Sequence, residues 1–240
     1  MPPATDFDRP RRFYQAVAVL ADDGRFVVTL DGRKAKTPDG APLAAPSEAL
    51  ARRLADEWDA QATHIDLNSM PLTRLAYTAI DRTGRTRAET AAEVARFAGS
   101  DVLCYFADAP TDLLEAEVKH WGPVLDWAQT GLGLELVRVT GVTHRPQPPA
   151  TLARVEALAL ELEDFALTGL VFCTALFGSA ILAFAVERGE LSGHAAFELS
   201  RLDEALQVER WGEDAEATAR TKGLRAEAEL AERWFRALQA

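Results

Sequence analysis

The sequence predicts an α+β protein, with a small β-rich N-terminal lobe and a larger all-helical C-terminal lobe. The prediction rests on three features. Residues 13 to 46 alternate apolar and polar side chains and are punctuated by Asp-Gly turns. From Pro46 onward apolar residues recur at helical spacing. After a stretch at 141–150 that holds Pro146, Pro148 and Pro149, only helical patterning remains. That stretch reads as a linker, which gives an N-terminal lobe of meander plus helices over 1–145 and a helical domain over 146–240.

Taken in order, Tyr14 to Val19 alternates as a strand and turns at Asp22-Asp23-Gly24 into Phe26 to Leu30. Asp31-Gly32 is a two-residue hairpin signal, because such a turn needs positive φ and Asp-Gly adopts it at low cost. A short strand over 34–37 closes at Pro38-Asp39-Gly40 and completes a three-stranded meander. Pro46-Ser47-Glu48 then opens a helix whose apolar face is Leu50, Leu54 and Trp58. Met70-Pro71 opens another, with Leu72, Leu75, Ala76, Ala79 and Ile80 inward, and Thr86 to Glu89 fits a capping box for a third ending near Phe97. A fourth runs from Asp112 to Gly131 and Gly133, where glycine favours termination. Leu134 to Val139 alternates like a strand that could return to the N-terminal sheet. Helices are then expected at about 151–168, 170–187, 192–211 and 214–238.

Residues 165–186 carry no formal charge and are long enough to cross a bilayer. They lack basic flanks and an aromatic belt, and they contain Thr168, Gly169, Thr174, Gly178 and Ser179. The expectation is a helix ending near Gly169 followed by a buried helix from about Val171 to Val186, in a protein not embedded in a membrane. The N-terminus shows no secretory pattern, which points to the cytoplasm. Cys104 and Cys173 both sit in apolar words, as buried thiols do.

The net charge of −11 over 240 residues argues against a nucleic-acid partner, whose phosphates attract clustered Lys and Arg. Sites for chemistry are sparse. The Thr130-Gly131-Leu132-Gly133-Leu134 stretch lacks the third glycine of a dinucleotide loop and precedes a strand rather than a helix. Phe177-Gly178-Ser179-Ala180 has a serine beside a glycine but reads as the interior of an apolar helix, without the strand–turn–helix context of a nucleophile elbow. Glu117 and His120 form a Glu-x-x-His without the second copy that a di-iron bundle needs. No metal, cofactor or catalytic residue is expected.

One segment stands out. Arg201 to Glu216 packs Asp203, Glu204, Glu209, Glu213, Asp214 and Glu216 with Gln207 and Trp211 at helical spacing, and contains no histidine, cysteine, serine or threonine. Asp203, Gln207 and Arg210 share one stripe, while Glu204, Val208 and Trp211 share the next. Glu209 and Glu213 form a like-charge pair that disfavours an isolated helix. On spacing alone, a protein-binding face and an ordinary solvated helix with Leu199, Leu202 and Leu206 inward are equally good readings.

Longer words break that tie. Leu30-Asp31-Gly32-Arg33 with Lys36-Thr37-Pro38, then Glu57-Trp58-Asp59-Ala60-Gln61, then Met70-Pro71-Leu72-Thr73-Arg74-Leu75-Ala76 appear in order. Trp127-Ala128 and Leu202-Asp203-Glu204 with Gln207, Glu209, Trp211-Gly212 and Asp214-Ala215-Glu216-Ala217 follow. Together they resemble the assembly chaperones of F-type ATP synthase that handle the α subunit of the catalytic sector, in their proteobacterial form. The resemblance departs at Tyr77, where the family often has asparagine, and at Phe106, where it favours arginine.

The resemblance implies a non-enzymatic chaperone that covers the surface of an unassembled α subunit that β later occupies. It makes Asp203, Glu204, Gln207, Glu209, Trp211 and Asp214 the candidate partner-binding residues. Arg33, Trp58 and Arg74 are expected to be structural, through hairpin anchoring, core filling and ion pairing, with Arg74 a candidate partner for the acidic helix. A monomer is expected, because self-association would occupy the client surface. The rival reading is a small enzyme that uses paired carboxylates of the 203–216 helix, such as Glu204 with Glu209 or Asp214, as acid and base.

Overall fold

Two Asp-Gly turns set the register of the N-terminal sheet. Asp23 and Gly24 have φ of 46° and 74°, and Asp31 and Gly32 have 49° and 76°. Both central residues of each turn therefore have positive φ, as a tight hairpin between twisted strands requires. The first joins β1 (Val17–Asp22) to β2 (Arg25–Leu30), and the second joins β2 to β3 (Arg33–Lys34), all antiparallel. A fourth strand, β4 (Ala44–Ala45), pairs with Phe26 and Val27 of β2. The expected meander is present with this extra strand, which makes β2 central. Accordingly Val27, Val28, Thr29 and Leu30 are all buried.

The computed structural model describes residues 9–141, 143–211 and 215–240, with backbone alone at 207, 209–211 and 215–218. The chain divides into two units, Met1–Thr86 with Trp234–Ala240, and Arg87–Arg233. The proline-bearing stretch 141–150 runs inside the second.

In the first unit the sheet packs on α1 (Glu48–Asp59), which buries Leu50, Ala51, Leu54 and Trp58, the stripe read from the sequence. Ser47 caps it by accepting the Leu50 N–H at 3.2 Å, and its hydroxyl donates to the Ala237 carbonyl. At the other end the Arg12 guanidinium takes the Asp59 and Gln61 carbonyls, a cation where the helix dipole is negative. α2 (Pro71–Asp81) begins with proline, whose missing N–H is no loss there. Its next two amides, Leu72 and Thr73, donate to the two oxygens of Glu57, each at 2.8 Å. From its last turn the buried Asp81 accepts from Thr37 Oγ1 at 2.7 Å and from the Asp39 N–H at 3.2 Å, which fixes the loop after β3.

Among its described residues the second unit has, besides helices and loops, a two-residue parallel pair, β5 (Tyr105–Phe106) with β6 (Val139–Thr140). Its helices are α3 (Arg87–Ala98), α4 (Thr111–Leu132), α5 (Pro149–Leu160), α6 (Asp164–Phe177), α7 (Ala180–Glu187), α8 (Gly193–Ser200), α9 (Leu202–Trp211) and α10 (Ala215–Gln239). α10 extends past Arg233 into the residues of the first unit. Every residue of α7 is buried, as a helix that is apolar all round must be. Cys104 and Cys173 are buried free thiols, and burial pushes both thiol pKa values up.

Four expectations are corrected. Gly169 lies inside α6, and the apolar segment breaks instead at Gly178 and Ser179. Gly178 takes the left-handed conformation (φ 65°) that ends α6, and Ser179 starts α7 by accepting the Leu182 N–H at 3.0 Å. Asp101, fully buried, accepts the Ile181 N–H and so neutralises the next free amide at that end. Glycine and serine in adjacent positions stop one helix and start another, which Gly169 alone cannot do. Among the described residues no helix is long and apolar enough to cross a membrane.

The stretch 134–139 does not return to the N-terminal sheet. The buried Gln147 amide binds both the N–H and the carbonyl of Val137, at 2.8 and 2.9 Å, and so replaces a strand partner. The helix expected over 151–168 breaks after Leu160, because Arg87 takes the Leu160 and Leu162 carbonyls and pairs with Asp164. The helix expected over 192–211 is likewise two, parted at Arg201.

α8 approaches α10 closely. A Cβ added to Gly193 would sit 2.0 Å from the Ala228 carbonyl oxygen, and the Gly193 N–H donates to Glu232 at 2.8 Å. The opposing atom is backbone and cannot swing away. Gly193→Ala is therefore expected to destabilise the protein by about 1–3 kcal/mol, the usual cost of overpacking. A denaturant midpoint equal to wild type would show that this contact is not rigid.

Candidate functional site

The acidic helix is anchored from below by α4 and α8. Trp121 of α4 is 1% exposed, and its indole N–H donates to the Leu199 carbonyl at 3.0 Å, which fixes the end of α8 and the start of α9. Leu199, Leu202 and Leu206 are half-buried, on the face assigned to the core. Glu204 and Val208 are exposed, Val208 at 41%. Arg201 pairs with Glu204 at 2.6 Å. Asp214 lies outside the described residues, as do the side chains of Gln207, Glu209 and Trp211.

Asp203 has a different position from Glu204. It is half-buried and hydrogen-bonded to Glu117 of α4, which is 1% exposed and whose Oε2 accepts the Ala107 N–H at 2.7 Å. Burial pushes the Glu117 pKa up to about 7, the Ala107 amide pulls it down, and Asp203 adds to the rise. With its pKa raised to about 7, Glu117 is a neutral carboxyl below neutrality and can donate to Asp203. This carboxyl–carboxylate bond joins α4 to α9 and sets the helix so that Glu204 and Val208 face outward. Glu117 drew attention in the sequence only as half of a Glu-x-x-His; its contact with Asp203 spans 86 positions, and no spacing rule reaches it.

The other singled-out residues lie in the first unit. Trp58 is 6% exposed, and its ring packs against Tyr14 at a centroid distance of 5.8 Å. Arg33 is exposed and makes no hydrogen bond or ion pair among the described residues. The hairpin is anchored by its neighbour Asp31, whose carboxylate accepts the Ala16 and Gln15 N–H groups at 2.8 and 3.0 Å, bonds that lower its pKa. Arg74 is exposed and makes no ion pair among the described residues. Arg33 and Trp58 line a common groove with Tyr77, a residue that sequence reasoning noted only as a departure. Burial, then Asp81, pushes the Tyr77 pKa up to about 12, so it stays a neutral phenol.

Glu117 provides a pH test of the α4–α9 joint. An acid whose folded pKa is raised holds a proton that the unfolded chain releases between about 4.5 and 7, so stability falls as pH rises through that window. Glu117→Gln keeps an acceptor for Ala107 and a donor for Asp203 but cannot ionise. Its stability profile between pH 4.5 and 7 is expected to be flatter than wild type by up to one proton. Parallel profiles from denaturant unfolding across that range would show that the Glu117 pKa is not raised in the folded protein.

The chain is similar to known proteins over most of its length. The family described as ATP12 chaperone protein matches residues 11–129. The mitochondrial protein atp12 of Schizosaccharomyces pombe is 29% identical over 220 residues, covering 85% of this chain and 75% of that protein. The crystal structure of Atp12 from Paracoccus denitrificans superposes with a TM-score of 0.90 at 40% identity, covering 95% of this chain and 98% of that one. An aspartate-to-lysine mutant of the same Paracoccus protein gives a TM-score of 0.91 with the same identity and coverage. With 40% identity over nearly the full length of a solved Atp12, this chain belongs to the ATP12 chaperone family.

Proposed function

We propose that the protein binds the unassembled α subunit of F-type ATP synthase and covers the surface that the β subunit later occupies. Membership of the ATP12 family makes it a chaperone of ATP synthase assembly. The observation that carries the finer reading is α9, a helix fixed by buried contacts at Asp203 and Trp121 while Glu204 and Val208 are left exposed. An interface face left bare on a lone subunit is an aggregation-prone apolar patch. A helix that offers carboxylates around a modest apolar contact meets it quickly and specifically without extreme affinity. Release then needs no nucleotide hydrolysis, because β competes for the same surface.

In this reading Glu204, Gln207, Glu209, Trp211 and Asp214 meet the client, and Asp203 holds the helix in position. The protein acts as a cytoplasmic monomer without a cofactor, and its charge of −11 keeps it from nucleic acid. The raised pKa of Glu117 also suits the enzyme reading, and its burial between α4 and α9 accounts for it without a substrate.

Co-expression with the α subunit tests both levels. Wild type is expected to raise the soluble yield of α several-fold, and Glu204→Lys, an exposed substitution that leaves the fold intact, to lose most of that gain. If Glu204→Lys protects as well as wild type, α9 is not the contact surface. If wild type gives no protection, the α subunit is not the client.

A further inference from the structure

The first unit contains a groove of about 810 Å³, within the range of clefts that hold ligands. Phe13 and Leu67 line it while 72% and 42% exposed, so the apolar wall continues onto the surface. Phe13 stacks edge-on against Tyr14 at 5.3 Å, and Tyr14 packs on Trp58 at 5.8 Å, which gives a continuous aromatic floor. Contiguous exposed apolar surface continuous with a cleft is characteristic of interaction sites.

Two further observations indicate what the groove accepts. The first is the Trp58 indole N–H. Trp58 is 6% exposed, and its Nε1 is buried without a hydrogen-bond partner among the described residues. Buried donors are nearly always satisfied, and an orphaned one costs about 1–3 kcal/mol. Trp58 lines the groove, so an acceptor on a ligand that displaces the side chains covering the indole would remove that cost. The second is charge. In a chain of net −11 this rim is cationic, with Arg33, Lys34 and Lys36. Lys34 pairs with Asp22 at 2.5 Å, whereas the side chains of Arg33 and Lys36 make no hydrogen bond or ion pair among the described residues. The one acid in the lining, Asp31, is already occupied by the Gln15 and Ala16 amides.

The wall that carries these cations is β3 and the residues after it, at one edge of the sheet. We infer that this groove binds an extended segment of a protein partner, which sets apolar side chains against Phe13, Tyr14 and Leu67, an acceptor oxygen on the Trp58 N–H, and a carboxylate beside Arg33 and Lys36. An edge strand with exposed apolar neighbours is where an added strand gains both main-chain and side-chain contacts. The ligand chemistry is opposite to that of α9, which offers carboxylates. The groove is thus a second contact of different specificity, independent of the α subunit.

Fluorescence anisotropy with a labelled nonapeptide alternating leucine or phenylalanine with glutamate tests this. The peptide is expected to bind saturably, and its glutamate-to-lysine counterpart at least tenfold more weakly. Lys36→Glu, fully on the surface, is expected to weaken binding at least fivefold. Trp58→Phe, which keeps a ring and removes the N–H, is expected to weaken it about threefold, with folding of both variants checked by circular dichroism. Should Trp58→Phe not fold, Lys36→Glu decides alone. Equal binding of the two peptides, no effect of Lys36→Glu, or absence of binding overturns the inference. So does displacement of the peptide by dodecanoate at lower concentration than the unlabelled peptide needs, which would mark a site for small amphiphiles.

Discussion

Carboxylates that accept backbone N–H groups from distant segments hold this fold together. Glu57 takes the first free amides of α2, Asp31 those of Gln15 and Ala16, and Asp81 that of Asp39. Asp101 takes the amide of Ile181, Glu117 that of Ala107, and Glu232 that of Gly193. Each satisfies a backbone donor at a helix start or loop that would otherwise lack a protein partner. They also explain why the family words cluster as they do. In Glu57-Trp58-Asp59-Ala60-Gln61, Glu57 caps α2, Trp58 packs on Tyr14 while its carbonyl accepts the Tyr14 hydroxyl, and Gln61 binds the Asp66 N–H.

The net charge of −11 therefore has two meanings. Some of the acids are internal and structural. Others, such as Glu204, are exposed, its only partner among the described residues being the neighbouring Arg201 on the same surface. Asp203 and Glu204, adjacent in sequence, fall on opposite sides of that division, one bonded to Glu117 and one facing solvent. The same distinction applies to the cations: Arg12 and Arg87 are tied to carbonyls, while Arg33 and Lys36 remain open beside an apolar groove. A chaperone that must hold a client and release it benefits from such unpaired charge at the rim of apolar contact, since it raises association rates more than final affinity.

Much of the fold was legible because local chemistry dictated it. Positive φ at Asp31-Gly32 and Asp23-Gly24 needs residues that accept it, and both turns stand where the dipeptides predict. The stripe Leu50, Leu54 and Trp58 is buried as its spacing requires, and Gly133 ends α4 in the left-handed conformation. Where reading failed, the deciding partner was remote. Nothing near Val137 in sequence reveals that a Gln147 side chain will stand in for a β-strand, nor that Arg87 will break the helix at Leu160. The Gly178-Ser179 break did carry a local signal, a helix stop directly followed by a helix cap, which the apolar run around it obscured.

The meander with its paired turns, the helices up to α4, the buried thiols and the acidic helix follow from the sequence, because each rests on backbone preference or on periodicity within one segment. The resemblance to a chaperone family was legible too, since it lies in ordered words. Which acids are structural and which are exposed, and that Arg33, Trp58 and Tyr77 wall one groove, arises only on folding. Burial and hydrogen bonding between residues tens of positions apart assign each charged side chain to the interior or to the surface, and no local pattern encodes that pairing.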